Sequence, residues 1–74
     1  MWTQENLKVG TKVVKCWIKH FDEGSEFGIN GGRISKLTAK VDKQEIINYD
    51  RGWDVKPETP FAKEVFQKLV KLYN

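Results

Sequence analysis

Apolar and polar side chains alternate along three stretches of this chain, and this period of two constrains its fold more than any other feature. Successive side chains of a β-strand point to opposite faces, so an alternating run predicts a strand with one buried face. The clearest run covers residues 12–21. Its buried face is predicted to consist of Val14, Cys16 and Ile18. The valine, isoleucine and aromatic content of the run also favours an extended backbone.

Three further segments are predicted to be strands. Residues 33–41 and 45–51 alternate in the same way and are separated only by residues 42–44. Such a short connection fits a hairpin, so we expect these two strands to be antiparallel neighbours. A shorter extended run at residues 2–9 leads into Gly10, a residue typical of tight turns, and predicts a first strand.

The end of the chain changes to the period of a helix. Thr59 is predicted to be the N-cap, and Pro60 occupies the first helical position, where its missing N–H has no cost. Apolar residues then recur at spacings of three and four. They are Phe61, Val65, Leu69 and Leu72, widened by Ala62, Phe66, Val70 and Tyr73. Residues 52–58, before this helix, are predicted to be irregular.

These elements predict an α+β fold in the order β-β-loop-β-β-α. An antiparallel sheet of three to four strands must bury its apolar face, and one amphipathic C-terminal helix is available to pack on it. The length of 74 residues predicts a single small domain over residues 1–74. The opposite face of the sheet would then be open, or paired with another molecule.

Composition narrows the cofactors and compartments that we expect. Cys16 is the only cysteine, so no internal disulfide can form, and no Cys/His set has the spacing of a zinc site. We therefore expect no metal and no cofactor. No apolar run is long enough for a membrane span, and the first residues do not resemble a signal peptide. A free cysteine fits a reducing compartment, so we expect a cytoplasmic protein without a membrane partner.

Residues 20–32 interrupt the alternation with four glycines, three carboxylates and the only histidine. Loops of this length tend to be functional or to pack on themselves. His20 near Asp22, Glu23 and Glu26 is a candidate catalytic or metal-binding cluster. However, the acids lack the spacing of a known cation loop, and one histidine supplies no catalytic set. We therefore predict that the protein is not an enzyme.

A second polar cluster lies in residues 48–54. Arg51 stands between two aspartates and beside Trp53, so it could form charge-assisted pairs and stack on an aromatic ring. We expect Arg51 to pair with the loop acids, and Trp53 to fill the corner between sheet and helix. The turn and the loop would then form one candidate pocket, either structural or ligand-binding. Its residues are His20, Asp22, Glu23, Glu26, Arg51, Trp53 and Asp54.

The strand face turned away from the helix mixes lysine with aromatic residues. The candidate interaction residues are Lys15, Trp17, Lys19, Phe21, Lys36 and Lys40. Aromatic rings on a basic sheet face are typical of single-stranded nucleic-acid binding, whereas lysines on an open face also keep a sheet soluble. The leading hypothesis is a non-enzymatic interaction module that binds a protein partner or a second copy through this face. The alternative is nucleic-acid binding, and a small enzyme or metal site at His20 is the third hypothesis.

Two motifs resemble a known family. One is KHFDE at residues 19–23 followed by SEFGINGGRISKL at residues 25–37, and the other is NYDRGWD at residues 48–54. As a pair, they resemble a family of small uncharacterised proteins from Gram-positive bacteria and their mobile elements. The resemblance covers most of the chain. It implies a single bacterial domain and assigns no catalytic residue.

Overall fold

A computed structural model describes all residues of the chain, 1–74, and contains one sheet and one α-helix. The strands are β1 (Trp2–Val9), β2 (Lys12–His20), β3 (Ile34–Val41), β4 (Gln44–Asp50) and β5 (Trp53–Val55), and the helix α1 is Pro60–Tyr73. The strands lie in chain order, and each is antiparallel to its neighbours. The predicted α+β class, antiparallel sheet and C-terminal helix are therefore confirmed.

The sheet has five strands, so the predicted number of three to four is too low. The additional strand is β5, within residues 52–58, which were predicted to be irregular. It pairs with β4 through Asn48 opposite Val55 and Tyr49 opposite Trp53, with a register irregularity between the two pairs. A strand of three residues is too short to show an alternating pattern, and only its neighbour makes it extended.

The face of β2 that was predicted to be buried is buried. Val14, Cys16 and Ile18 have no exposed surface, and they belong to one continuous apolar cluster shared by the sheet and α1. The other members are Val9, Ile29, Ile34, Leu37, Ala39, Ile47, Tyr49, Val65 and Leu69. Each fully buried aliphatic side chain stabilises the fold by about 1.5–3 kcal/mol, so this cluster is the main source of stability.

Helix α1 begins as predicted. The Thr59 hydroxyl accepts a hydrogen bond from the backbone N–H of Ala62 at 3.0 Å, and Pro60 is the first helical residue. Val65 and Leu69 are fully buried, but Leu72 is 53 % exposed. In the last turn of α1, Tyr73 contacts the sheet instead, and its ring lies beside that of His20. No helix of the structure has the length and apolar character that crossing a membrane requires.

The loop between β2 and β3 folds on itself. The backbone N–H of Ser25 donates to the Gly32 carbonyl at 3.1 Å. The backbone N–H of Gly28 donates to the Ser25 carbonyl at 3.0 Å. A side chain at Gly28 would collide with the Gly32 backbone, so the closure requires glycine there. Ile29 is only 2 % exposed and anchors the loop, and the Asn74 amide donates to its carbonyl. These contacts make the loop a packed part of the domain.

Candidate functional site

The sheet face opposite α1 is not covered by any element of the chain, and we call it the open face. Its residues follow from the register of the strands and their alternation with the buried side chains. They are Trp2, Gln4, Asn6 and Lys8 of β1, Val13, Lys15, Trp17 and Lys19 of β2, Lys36, Thr38 and Lys40 of β3, and Glu45, Asn48 and Asp50 of β4. Phe21 continues this face just beyond β2, since it lies within reach of the Lys19 ammonium.

Two tryptophans and a lysine form the centre of the open face. Trp2 and Trp17 line one shallow concavity of about 490 Å³, together with Thr38 and Lys40. The Lys40 Nζ lies 5.9 Å from the centre of the Trp17 ring, within the range of a cation–π contact. Trp2 is 58 % exposed. A single ligand could therefore contact two aromatic rings and an ammonium group at this point.

The open face carries an excess of positive charge. It has five lysines and only two acidic residues, Glu45 and Asp50. Lys36 forms an ion pair with Asp50 at 3.5 Å, and the Glu45 carboxylate accepts a hydrogen bond from the Asn48 amide at 2.8 Å. The remaining four lysines form no ion pair. A face with this charge attracts anionic molecules from a distance and favours them once they are in contact with it.

Two pairs of lysines face each other directly across β2 and β3. Lys15 lies opposite Lys40, and Lys19 lies opposite Lys36. Like charges at directly opposite positions of a sheet destabilise it. Asp50 offsets this repulsion only at Lys36. The repulsion between Lys15 and Lys40 therefore has no offsetting carboxylate among the ion pairs of the structure.

A second concavity lies at one end of the open face, and we call it the end pocket. It has a volume of about 300 Å³ and is lined by Lys19, Phe21, Ser25, Phe27, Ser35, Lys36 and Arg51. The Arg51 guanidinium lies 4.7 Å from the centre of the Phe27 ring. The Tyr49 hydroxyl donates a hydrogen bond to the Phe27 carbonyl at 2.8 Å. The loop and the β4–β5 turn thus meet, as the sequence predicted, and their contact borders the end pocket.

The structure does not gather the seven residues of the predicted loop–turn pocket into one site. Arg51 lines the end pocket, whereas Trp53 and Asp54 line a separate groove beside α1. His20 turns to the helix side of the sheet, where it contacts Thr3. The three loop acids, Asp22, Glu23 and Glu26, are exposed.

The expected ion pairs between Arg51 and the loop acids do not form. An exposed carboxylate gains little from an ion pair over its own hydration. Arg51 instead stacks on Phe27, where an aromatic ring accepts the cation. Trp53 does lie at the corner between sheet and helix, with its ring 5.0 Å from Tyr49 and 5.4 Å from Phe66.

A polar cluster that was not predicted lies under the C-terminal turn of α1. The Tyr73 hydroxyl donates a hydrogen bond to the Glu5 carboxylate, and the His20 ring lies 5.1 Å from the Tyr73 ring. The His20 Nε2 and the Thr3 hydroxyl are 3.0 Å apart. The alternation of residues 2–9 would have placed Thr3 and Glu5 on the helix side, and that signal could have revealed the cluster.

Two groups next to Glu5 in this cluster have raised pKa values. The hydrogen bond to Glu5, followed by burial, raises the pKa of Tyr73 to about 12. Burial, and then the charge of Glu5, raise the pKa of the Cys16 thiol to about 11. Cys16 is therefore a protonated, inaccessible thiol at neutral pH, and the thiolate is the nucleophilic form. Nowhere in the chain do three or more His, Cys, Asp or Glu side chains come together as a metal-binding set.

Comparison with known proteins decides the family of the chain. The model of one family matches the chain over residues 1–74. The chain belongs to that family, described as a domain of unknown function (DUF7678). This confirms the expectation of an uncharacterised family. No curated protein and no solved structure matches the chain. The surface chemistry of this DUF7678 protein is therefore what bears on its function.

Proposed function

We propose that this DUF7678 protein is a small non-enzymatic module that binds single-stranded nucleic acid on its open face. The observation that carries the proposal is the pair of Trp2 and Trp17, which line one concavity among lysines that have no ion-pair partner. Bases stack on exposed aromatic rings irrespective of sequence, while lysines contact the phosphates. The two like-charged lysine pairs of β2 and β3 would be relieved by those phosphates.

The shape of the open face favours a single strand over a duplex. The four strands that form the open face, at a spacing of about 4.8 Å, make a surface about 14 Å wide. The major groove of B-form DNA is about 12 Å wide and admits a helix or a two-stranded ribbon, so this face cannot enter it. A single strand can lie flat on the sheet with its bases turned to the rings. Such recognition by a sheet face is common among RNA-binding modules.

The second candidate function is binding of a protein partner through the same face. Trp2 and Val13 are 58 % and 54 % exposed, and apolar side chains of this size are suited to a protein contact. A second copy of the chain is a poor occupant if two open faces meet, since the lysines of one would oppose those of the other. The protein partner would therefore have to be acidic.

The resemblance of the two motifs supports an origin in Gram-positive bacteria and their mobile elements as part of this proposal. The single buried thiol of Cys16 supports a cytoplasmic location, because a reducing compartment keeps such thiols free. The non-enzymatic part of the proposal is supported by the high pKa of Cys16 and by the engagement of His20 with Thr3.

Fluorescence anisotropy with labelled single-stranded DNA and RNA of mixed sequence tests the proposed function. We expect binding at low salt that weakens steeply as salt increases. Trp17→Ala should lower the affinity roughly 5- to 150-fold, since stacking contributes about 1–3 kcal/mol per base, whereas Trp17→Phe should retain most of it.

Two lysine variants of equal charge serve as a matched control. Lys15→Gln removes one charge from the open face, and Lys68→Gln removes one from the exposed side of α1. Only the first should weaken binding substantially. Equal effects, or no binding at low salt, would refute the nucleic-acid proposal. Preferential binding of an acidic polypeptide over oligonucleotides would establish the second candidate instead.

A further inference from the structure

We propose that the end pocket binds a terminal phosphate monoester of the single strand that lies on the open face. This inference rests on the proposed nucleic-acid function and adds a preference for one end of the strand. The pocket brings together the side-chain cations of Lys19, Lys36 and Arg51, and no carboxylate lines it. A terminal monoester has a charge of about −1.5 to −2 at neutral pH, against about −1 for a diester within the chain. The end pocket is therefore better matched to a chain end.

The cations of the pocket are available to a ligand. Lys19 and Arg51 form no ion pair, and Lys36 has a single carboxylate partner, Asp50, at 3.5 Å. The Arg51 guanidinium presents a planar set of donors that fits two phosphate oxygens at once. The Ser25 hydroxyl oxygen accepts a hydrogen bond from the N–H of Phe27 at 3.3 Å, which leaves its own O–H able to donate. Three cationic side chains and one hydroxyl-bearing side chain thus line one small volume.

Two of these three cations lie against phenylalanine rings. The Lys19 Nζ lies 5.7 Å from the Phe21 ring centre, and the Arg51 guanidinium lies 4.7 Å from that of Phe27. Cation–π contacts restrict the freedom of both side chains before a ligand arrives. The free surfaces of the rings are also suited to stacking with a terminal base.

The backbone at Arg51 is held in an unusual conformation. Its φ is +58°, in the left-handed region that favours glycine and asparagine. The N–H of Arg51 donates to the carbonyl of Ser35 at 3.1 Å, so the turn is fixed to β3. The turn thus holds Arg51 next to β3, and its guanidinium lies against the Phe27 ring.

The end pocket is continuous with the aromatic centre of the open face. Lys19 lies directly opposite Trp2 and two residues beyond Trp17 on β2, a distance of about 7 Å along the strand. A strand whose bases stack on the tryptophans therefore reaches the pocket with its next phosphates. If the strand ends there, the last phosphate is the group that the three cations meet.

The test compares one internally labelled oligonucleotide in three forms, with a 5′-phosphate, with a 3′-phosphate and with hydroxyl groups at both ends. We expect one phosphorylated form to bind about tenfold more tightly than the others, because a charge-assisted contact to arginine is worth about this factor. Arg51→Gln should abolish the difference between the forms, and its loss of affinity for the hydroxyl form should be no larger than that caused by Lys40→Gln. Lys40→Gln removes the same charge outside the pocket and should weaken all three forms equally.

Each result has a distinct meaning. Equal binding of the three forms to the unmodified protein would overturn the end-pocket inference and leave the proposed function intact, whereas binding of none would overturn both. Thermal unfolding monitors the fold of Arg51→Gln. If that variant is unstable, Lys19→Gln replaces it, with the same expected loss of the phosphate preference.

Discussion

The two faces of this sheet are built from the same strands and have opposite properties. On the helix side, Val14, Cys16 and Ile18 of β2 are fully buried in a continuous apolar cluster. On the open face, the intervening residues are lysines and a tryptophan, and two lysine pairs oppose each other across β2 and β3. The helix side therefore stabilises the fold, whereas repulsion between the opposed lysines of the open face destabilises it. The helix side provides most of the stability, and the open face is the surface that we propose for binding.

The largest expected effect is on the helix side. Leu69→Ala should lower the free energy of unfolding by about 2–5 kcal/mol, since it leaves a cavity at a fully buried position. Leu72→Ala makes the same chemical change three residues later, at a position that is 53 % exposed, and should cost about 1 kcal/mol or less. Urea unfolding monitored by circular dichroism measures both. Equal losses would show that the helix does not bury the residues described.

The next effect is a loss of stability at alkaline pH. The pKa of Cys16 is raised from 9.0 to about 11 in the folded protein, so the unfolded chain releases its proton first as pH rises. The contribution is complete below pH 9 and is lost between pH 9 and pH 11. A pKa difference of about two between the folded and the unfolded chain corresponds to a loss of stability on the order of 2–3 kcal/mol. Tyr73, raised from 10.0 to about 12, extends the loss in the same direction to higher pH.

The variant Cys16→Ala separates the two groups. It should be less stable than the unmodified protein at neutral pH, but its stability should decline less between pH 9 and pH 11. Urea midpoints across that pH range are the measurement. An unchanged slope in Cys16→Ala would mean that the thiol is not buried against the charge of Glu5.

The smallest effect on stability is expected on the open face. Trp17→Ala removes a partly buried aromatic side chain and should lower the free energy of unfolding by about 1–2 kcal/mol, because the ring lies outside the apolar cluster and its loss leaves no cavity there. The same variant should lose most of its affinity for single-stranded oligonucleotides. The same urea titration and anisotropy assay, applied to one sample, check both. A stability loss as large as that of Leu69→Ala would remove the distinction between the faces.

Much of the fold could be predicted because the signals are local. The alternation at Val14, Cys16 and Ile18 identified a strand and its buried side, and Thr59 with Pro60 identified the start of the helix. Strand β5 could not be predicted in this way. Its three residues are extended because their backbone pairs with that of β4. Their own sequence pattern does not indicate this pairing.

The candidate site was predicted less completely than the fold. The lysines and Trp17 followed from the alternation of β2 and β3, but Trp2 and Lys8 were missed because the pattern of β1 is weak. The predicted loop–turn pocket grouped His20 with Arg51 because the loop and the turn that carry them both leave the sheet near strand ends. The structure separates them to opposite sides of the sheet. Nearness in sequence to a strand end does not determine the side to which a residue points.

The sequence by itself determined the class of the fold, the buried side of its longest strands and the lysine-rich character of the opposite side. These properties depend on periodicity and on capping, which act over a few residues. Only the tertiary structure decided the composition of the end pocket. Ser25, Lys36 and Arg51 come from the loop, from β3 and from the β4–β5 turn. Their meeting depends on strand order, register and the left-handed backbone of Arg51, which are properties of the assembled sheet.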